Sequence, residues 1–136
     1  MVRPFPDMLR TSISQIGTPY NYPTIMAMAV HIAALSKDAD KVTVIYNEFK
    51  SAISYVCRHM ELMPQQKFIE AMKYGKLYEQ SLPDKNTSNT ALYELYLTSN
   101  IWVAFLNNAA SEQSARMGAM ENASKNAKEI LEKLTL

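Results

Sequence analysis

The feature that most constrains this sequence is a long stretch without helix-breaking residues, which covers residues 89–134. It contains no proline and one glycine, Gly118, and it is rich in alanine, leucine, glutamate and lysine, which favour the α-helix. A single helix of this extent is about 70 Å long at 1.5 Å per residue. A compact domain of 136 residues has a radius of gyration of only about 14 Å. The sequence therefore predicts one long C-terminal helix that projects from the domain to which it belongs.

An apolar stripe runs along this predicted helix at alternating steps of three and four residues. That spacing is the period of a coiled coil, in which the stripe packs against a partner helix. Small residues in the same stretch, such as Ala109 and Ala119, would let a partner helix approach closely. We therefore expect partner-helix packing along this stripe, called the seam below, which consists of Val103, Leu106, Ala110, Gln113, Met117, Met120, Ser124, Ala127, Leu131 and Leu134.

The residues before the long helix indicate strands and a helix in alternation. Residues 11–16 alternate polar and apolar side chains, which predicts a short strand. Asn21 can cap a helix over residues 22–35, whose apolar residues fall on one face. Residues 42–46 are nearly all apolar, typical of a strand covered on both faces, and a second strand follows over residues 52–60. This order predicts the α/β class, with a Rossmann-like layered sheet and a crossover helix.

The chain divides at a cluster of proline and polar residues, 83–88. Before it, the pattern predicts a short helix over residues 67–72 and a strand near Leu77. We therefore expect an α/β globular domain over residues 1–83. Residues 84–136 should form the long helix, which packs on that same domain and continues beyond it.

Composition excludes several classes of function. Apolar residues make up 48% of the chain and charged residues 20%, as in ordinary globular domains. The net charge of +1 provides no attraction to nucleic acid, so we expect no nucleic-acid partner. No apolar run reaches the roughly 20 residues that a membrane span needs, so we expect no direct membrane span. Gly17, Gly75 and Gly118 are the only glycines, and they lie too far apart for a phosphate-binding loop.

Cys57 and His59 are the residues best placed for site chemistry. Their spacing on a predicted strand would point both side chains to the same face of the sheet. A tetrahedral metal site would need a further ligand, and His31 is the only other histidine. A Cys–His nucleophile pair would need a third group to orient it. We therefore favour a packed cysteine beside an ordinary histidine, and we expect no catalytic residue, no metal site and no cofactor.

Two segments carry a resemblance to a known family. Residues 111–127, SEQSARMGAMENASKNA, resemble the segment that begins the long C-terminal axle helix in the gamma subunits of F-type ATP synthases. Residues 45–55, IYNEFKSAISY, are similar to a strand–turn–strand unit in the globular domain of the same family. The asparagine-rich end of the first segment resembles mitochondrial members more than bacterial ones. The residues that carry the family motif are Ser111, Glu112, Ser114, Arg116, Asn122 and Asn126.

The resemblance implies a mechanical role without catalysis. Gamma subunits of this family form the central rotor stalk, bind no nucleotide, and link the proton-driven ring to the catalytic subunits. The implied partners are the catalytic alpha and beta subunits, the small stalk subunits and the membrane rotor ring. The implied location is the matrix side of the mitochondrial inner membrane, as a peripheral protein.

The resemblance is partial. The family's N-terminal axle helix and its first strand have no counterpart in this sequence, and the match ends at Leu136, before the stretch that enters the ring of catalytic subunits. We therefore expect residues 1–83 to be part of the globular foot domain, and residues 84–136 to be the start of the rotor axle.

Two other functions are compatible with the residues. The first is a free-standing α/β interaction module that self-associates through its long helix. In either case we expect the isolated chain to self-associate or its helix end to fray. The second is a small nucleotide-binding or oxidoreductase domain, which only the fold class suggests. Co-purification with ATP synthase subunits would separate the rotor from the module, and a nucleotide-binding assay would test the second alternative.

Overall fold

The computed structural model describes residues 6–17, 19–73 and 85–136. A short 3-10 turn, Pro6–Met8, precedes the main elements. None of the helices in these ranges is both long and apolar enough to cross a membrane. In chain order the main elements are helix α1 (Tyr22–Leu35), strand β1 (Val42–Ser51), strand β2 (Ser54–Leu62), helix α2 (Gln65–Lys73) and helix α3 (Lys85–Thr135).

Helix α1 begins at the predicted cap. Asn21 has an extended backbone, and its Oδ1 accepts a hydrogen bond from the Thr24 N–H at 3.0 Å. Pro23 lies in the first turn, where its missing N–H costs no helical hydrogen bond. The helix buries Ile25, Met28 and Ala29 in the core. The predicted helix over residues 22–35 and its cap are therefore confirmed.

Strands β1 and β2 form an antiparallel hairpin joined by a tight turn at Ala52 and Ile53. Asn47 lies opposite Cys57 and Phe49 opposite Tyr55, and the register shifts between Phe49 and Ser51. Burial alternates along β1, so one face of the hairpin is covered and the other is open. The prediction that residues 42–46 form a strand covered on both faces is therefore wrong.

The open face of the hairpin has a simple physical cause. The core lies on one side of the two strands, between the hairpin, α1 and the first half of α3. Ile45 points away from it and is 72% exposed, whereas Val42 and Val44 pack against it. The apolar run over residues 42–46 therefore does not indicate burial on both faces, because the fold covers only alternate residues of β1. The core consists of Ile25, Met28, Ala29, Leu62, Tyr93, Leu97 and Ile101.

Residues 11–16 do not form the predicted strand. Their backbone is irregular, Gln15 has a positive φ of 60°, and all but Ile16 are exposed. Because these side chains gain almost no burial, their alternating pattern is not sufficient to form a strand. The sheet among the described residues has two antiparallel strands, and the expected crossover helix lacks the first of its two flanking strands there.

The α/β class and the long C-terminal helix are confirmed. Helix α3 has 51 residues and runs without interruption through Gly118, where a Cβ would meet no atom within 4 Å. It starts at Lys85, within the cluster that was predicted to separate the two parts of the chain. The short helix predicted over residues 67–72 is α2, Gln65–Lys73. The strand predicted near Leu77 lies outside the described residues.

Candidate functional site

The residues first considered for chemistry do not form a cluster. Within residues 6–17, 19–73 and 85–136, no three histidine, cysteine or acidic side chains are arranged to hold a metal ion. Cys57 is an exposed free thiol on β2, and His59 is exposed on the same open face of the hairpin. The cysteine is therefore not packed, contrary to our expectation, because this face of the hairpin is uncovered.

A hollow of about 690 Å³ lies between the N-terminal segment, α1, β1 and α3. Most of its lining is apolar and includes Ile13, Met28 and Phe105. Its ionisable lining residues are Arg10, His31 and Lys41, with no acidic residue among them.

The first half of α3 is the part that holds the molecule together. Most of its buried residues recur at steps of three, four or seven and form one stripe, called the docking face below. Tyr93 also donates a hydrogen bond from its hydroxyl to the Met63 carbonyl at 3.1 Å, and burial raises the pKa of this phenol. The Tyr96 hydroxyl accepts from the Met63 N–H at 3.3 Å. The docking face consists of Tyr93, Leu97, Ile101, Ala104 and Ser111.

The seam lies on a different face of α3 and is open. Leu106 is about half a turn around the helix from Leu97, at 3.6 residues per turn. The seam leucine nearest the C-terminal end is the most exposed, 79% at Leu134 against 47% at Leu106. Ala110 is half-buried and Ala127 is exposed. The remaining apolar seam residues, Val103, Met117, Met120 and Leu131, are 49%, 47%, 60% and 61% exposed.

The family-motif residues fall into three groups. The Ser111 hydroxyl donates to the Asn47 carbonyl at 3.3 Å, and the Ser114 hydroxyl donates to the Ala52 carbonyl at 2.6 Å. Sequence reasoning found these two serines but assigned them no contact. The other two groups lie at the surface: Glu112 and Arg116 form an exposed ion pair at 2.6 Å, while Asn122 and Asn126 are exposed.

Two contacts between α3 and the hairpin were not predicted from the sequence. The Asn108 Oδ1 accepts from the Asn47 N–H at 2.7 Å, and the Asn107 Oδ1 accepts from the Phe49 N–H at 3.3 Å. Asparagine is a weak helix former, so two in succession inside a long helix were a signal that their side chains have another role. Together with Ser111, these residues join α3 to the hairpin by polar contacts.

Surface charges on the hairpin form ordinary exposed pairs. Lys41 and Glu61 lie 2.6 Å apart, and this hydrogen-bonded ammonium lowers the pKa of the Glu61 carboxyl. Arg58 and Glu48 lie 2.8 Å apart. Exposed pairs of this kind contribute little to stability.

Known proteins are similar to this chain in both sequence and structure. The profile of a family described as ATP synthase matches residues 5–136. The mitochondrial ATP synthase F(1) complex subunit gamma of Dictyostelium discoideum is 33% identical over 100% of this chain and 44% of its own length. The ATP synthase gamma chain of Fuscovulum blasticum is 38% identical over 82% of this chain and 38% of its own.

A solved structure, the central stalk and c-ring of the mitochondrial ATP synthase of Tetrahymena thermophila, contains a similar chain. The TM-score is 0.80 and the sequence identity 46%, over 90% of this chain and 55% of that one. This chain therefore spans about half of the solved chain, and less than half of the two curated relatives.

Proposed function

The chain belongs to the family of ATP synthase gamma subunits, and on that premise we propose that it works as a non-catalytic part of the central rotor stalk of a mitochondrial ATP synthase. One observation carries the proposal. Helix α3 projects from a small α/β body and has an open apolar seam on a face different from the one that docks on that body.

The shape of α3 suits a shaft. Its last buried residue is Ser111, and every side chain from Glu121 onward is exposed. The part beyond Ser111 is about 35 Å long at 1.5 Å per residue. Helices in proteins are stabilised mostly by packing against other elements, so a shaft requires a second helix along this part. The seam residues Met117, Met120, Leu131 and Leu134 are the surface on which that helix would pack.

The proposed partners follow from this division of the molecule. The catalytic alpha and beta subunits surround the projecting shaft, while the α/β body contacts the small stalk subunits and the membrane rotor ring. The complex places the chain on the matrix side of the mitochondrial inner membrane, as a peripheral protein. The name of the similar solved structure, a central stalk with its c-ring, supports the proposed contact with the rotor ring.

The proposed role requires no chemistry in this chain. Nucleotide binding by a phosphate loop needs closely spaced glycines whose backbone amides reach the phosphates, and the spacing of the three glycines provides none. The chain contributes to ATP synthesis by transmitting rotation, while catalysis takes place in other subunits.

A second candidate is a free-standing module that self-associates through the same seam, since the open seam is equally a surface for a second copy. Affinity purification of the tagged chain from mitochondria distinguishes the two. We expect the catalytic and stalk subunits to co-purify in fixed proportion. Leu131→Glu should reduce their recovery, whereas Ile130→Glu, off the seam and similarly exposed, should reduce it less. Recovery of the chain only as a homo-oligomer would contradict the rotor proposal and support the module.

A further inference from the structure

One edge of strand β1 is paired by side chains of a helix rather than by another strand. Within the described part of the chain, β2 is the only strand hydrogen-bonded to β1. In an antiparallel pair, alternate residues point both of their backbone groups to the outer edge. Asn47 is such a residue: its N–H donates to Asn108 Oδ1 and its carbonyl accepts from Ser111 Oγ. Helix α3 thus supplies one acceptor and one donor where a neighbouring strand would supply both.

Two further hydrogen bonds join α3 to the hairpin, from residues that precede Asn108 and follow Ser111 on the helix. The Phe49 N–H donates to Asn107 Oδ1 at 3.3 Å, and Ser114 Oγ donates to the Ala52 carbonyl in the hairpin turn at 2.6 Å. The Asn107 amide nitrogen donates to the Val103 carbonyl at 3.0 Å, which holds its oxygen toward β1. The four bonds extend along about 10 Å of the helix axis, at 1.5 Å per residue.

These polar contacts lie just beyond the fully buried apolar residues of α3. Ala104 is the last buried apolar residue of α3, and Ser111 is the only buried residue that follows it among those described. Apolar contacts are non-directional, so they define the orientation of a helix against its neighbour less sharply than hydrogen bonds do. Hydrogen bonds lose strength steeply when their geometry is distorted. The far end of the hairpin is therefore held in a fixed direction by bonds, and not only at a fixed distance by packing.

We propose that Asn107, Asn108, Ser111 and Ser114 form a torsional joint that fixes the orientation of the hairpin about the axis of α3. The joint deepens the proposed function and rests on it, because in a rotor it would carry torque between the α/β body and the shaft. Rotation of the hairpin about the helix axis would displace all four bonds sideways at once. The four side chains are positioning residues, and the joint assigns the motif serines a role in transmission.

Pulsed electron–electron resonance on the full chain tests the joint. Cys57 is the only cysteine and is exposed on β2, so it accepts one spin label, and Lys125→Cys on the exposed shaft accepts the other. Labelled chain is diluted with unlabelled chain so that only distances within one molecule are recorded. Asn108→Leu combined with Ser114→Ala removes one acceptor and one donor. We expect the distance distribution to broaden about twofold, because the remaining contacts restrain rotation poorly.

Conservative variants separate positioning from general destabilisation. Asn108→Asp keeps the accepting oxygen and Ser114→Thr keeps the hydroxyl, so this pair should restore the narrow distribution. Amide hydrogen exchange supplies a second measurement on single variants: Asn108→Leu should accelerate exchange at Asn47, while circular dichroism shows unchanged helix content. A distribution as narrow in the Leu/Ala variant as in the wild type would overturn the joint, as would equal broadening in the Asp/Thr variant.

The outcome of these two measurements does not depend on whether the rotor proposal is correct. Both measurements use the isolated chain, so a missing torsional effect overturns the joint whatever co-purifies with the chain. A chain that binds no ATP synthase subunit overturns the rotor, even if the hairpin proves to be rigidly held.

Discussion

Leu131→Glu should weaken self-association of the isolated chain. Leu131 is 61% exposed on the seam, and Leu134, Met117 and Met120 are exposed beside it. An open apolar seam can be covered by the same seam of a second copy, because a two-fold axis lets one patch complement itself. We therefore expect the wild-type chain to form a dimer whose population rises with concentration.

The exposed fractions set the magnitude. Complete burial of a leucine or methionine contributes about 1.5–3 kcal/mol, so covering the exposed parts of these four side chains contributes roughly 4–7 kcal/mol per chain. Association itself costs roughly 4–15 kcal/mol, so the net affinity of such a dimer is modest. Losing the contribution of Leu131 from both chains removes about 2–4 kcal/mol, which corresponds to a Kd about 30- to 1,000-fold higher.

Sedimentation velocity over a range of concentrations measures this change. The matched control is Ile130→Glu, since Ile130 is 58% exposed and lies about 100° around the helix from Leu131. The control introduces the same charge at a similarly exposed position, and it should raise the Kd much less. Circular dichroism of both variants checks that the helix is retained.

Two results would refute this reasoning. If both glutamate variants raised the Kd equally, the contact would not follow the seam. If the wild-type chain were monomeric at all concentrations and yet protected from hydrogen exchange through Leu134, the second half of α3 would need no partner helix.

Three further predictions concern the body of the protein. Tyr93→Phe removes the donor to the Met63 carbonyl and should lower the free energy of unfolding by about 1–3 kcal/mol in urea titrations; an unchanged midpoint would mean that water satisfies this carbonyl. Because burial raises the pKa of Tyr93, the neutral phenol stabilises the fold below the unfolded pKa of about 10, and this contribution is lost as the pH rises through the folded pKa. Thermal unfolding between pH 8 and 11 should therefore show a smaller alkaline loss in Tyr93→Phe than in the wild type. Isothermal titration with ATP or NADH should detect no binding, and a micromolar affinity would contradict the non-catalytic assignment.

The elements defined by local signals could be predicted from the sequence. The asparagine cap and the first-turn proline determine where α1 begins, and both act within one helical turn. Helix α3 follows from the absence of proline over residues 89–134, since one glycine costs only about 1 kcal/mol relative to alanine. Partner-helix packing along the seam stays a prediction from its spacing; the structure leaves the seam leucines and methionines exposed.

The parts that depend on distant contacts could not be predicted. Which face of β1 is buried depends on where α1 and α3 lie, and the run over residues 42–46 does not contain that information. The strand expected over residues 11–16 had the right alternation but no surface to cover it. Likewise, the hydrogen bonds from Asn107 and Asn108 reach residues far away along the chain, so only their poor helix propensity gave a sign of them.

The division of α3 into a buried first half and an exposed second half also affects how long the chain survives in a cell. Segments with few buried contacts open far more often than the core does, and proteases cleave the open form. Binding a partner along the seam would close this route by stabilising the folded state. Unassembled copies would then be degraded first, so the amount of this chain would follow the supply of the partner that covers its helix.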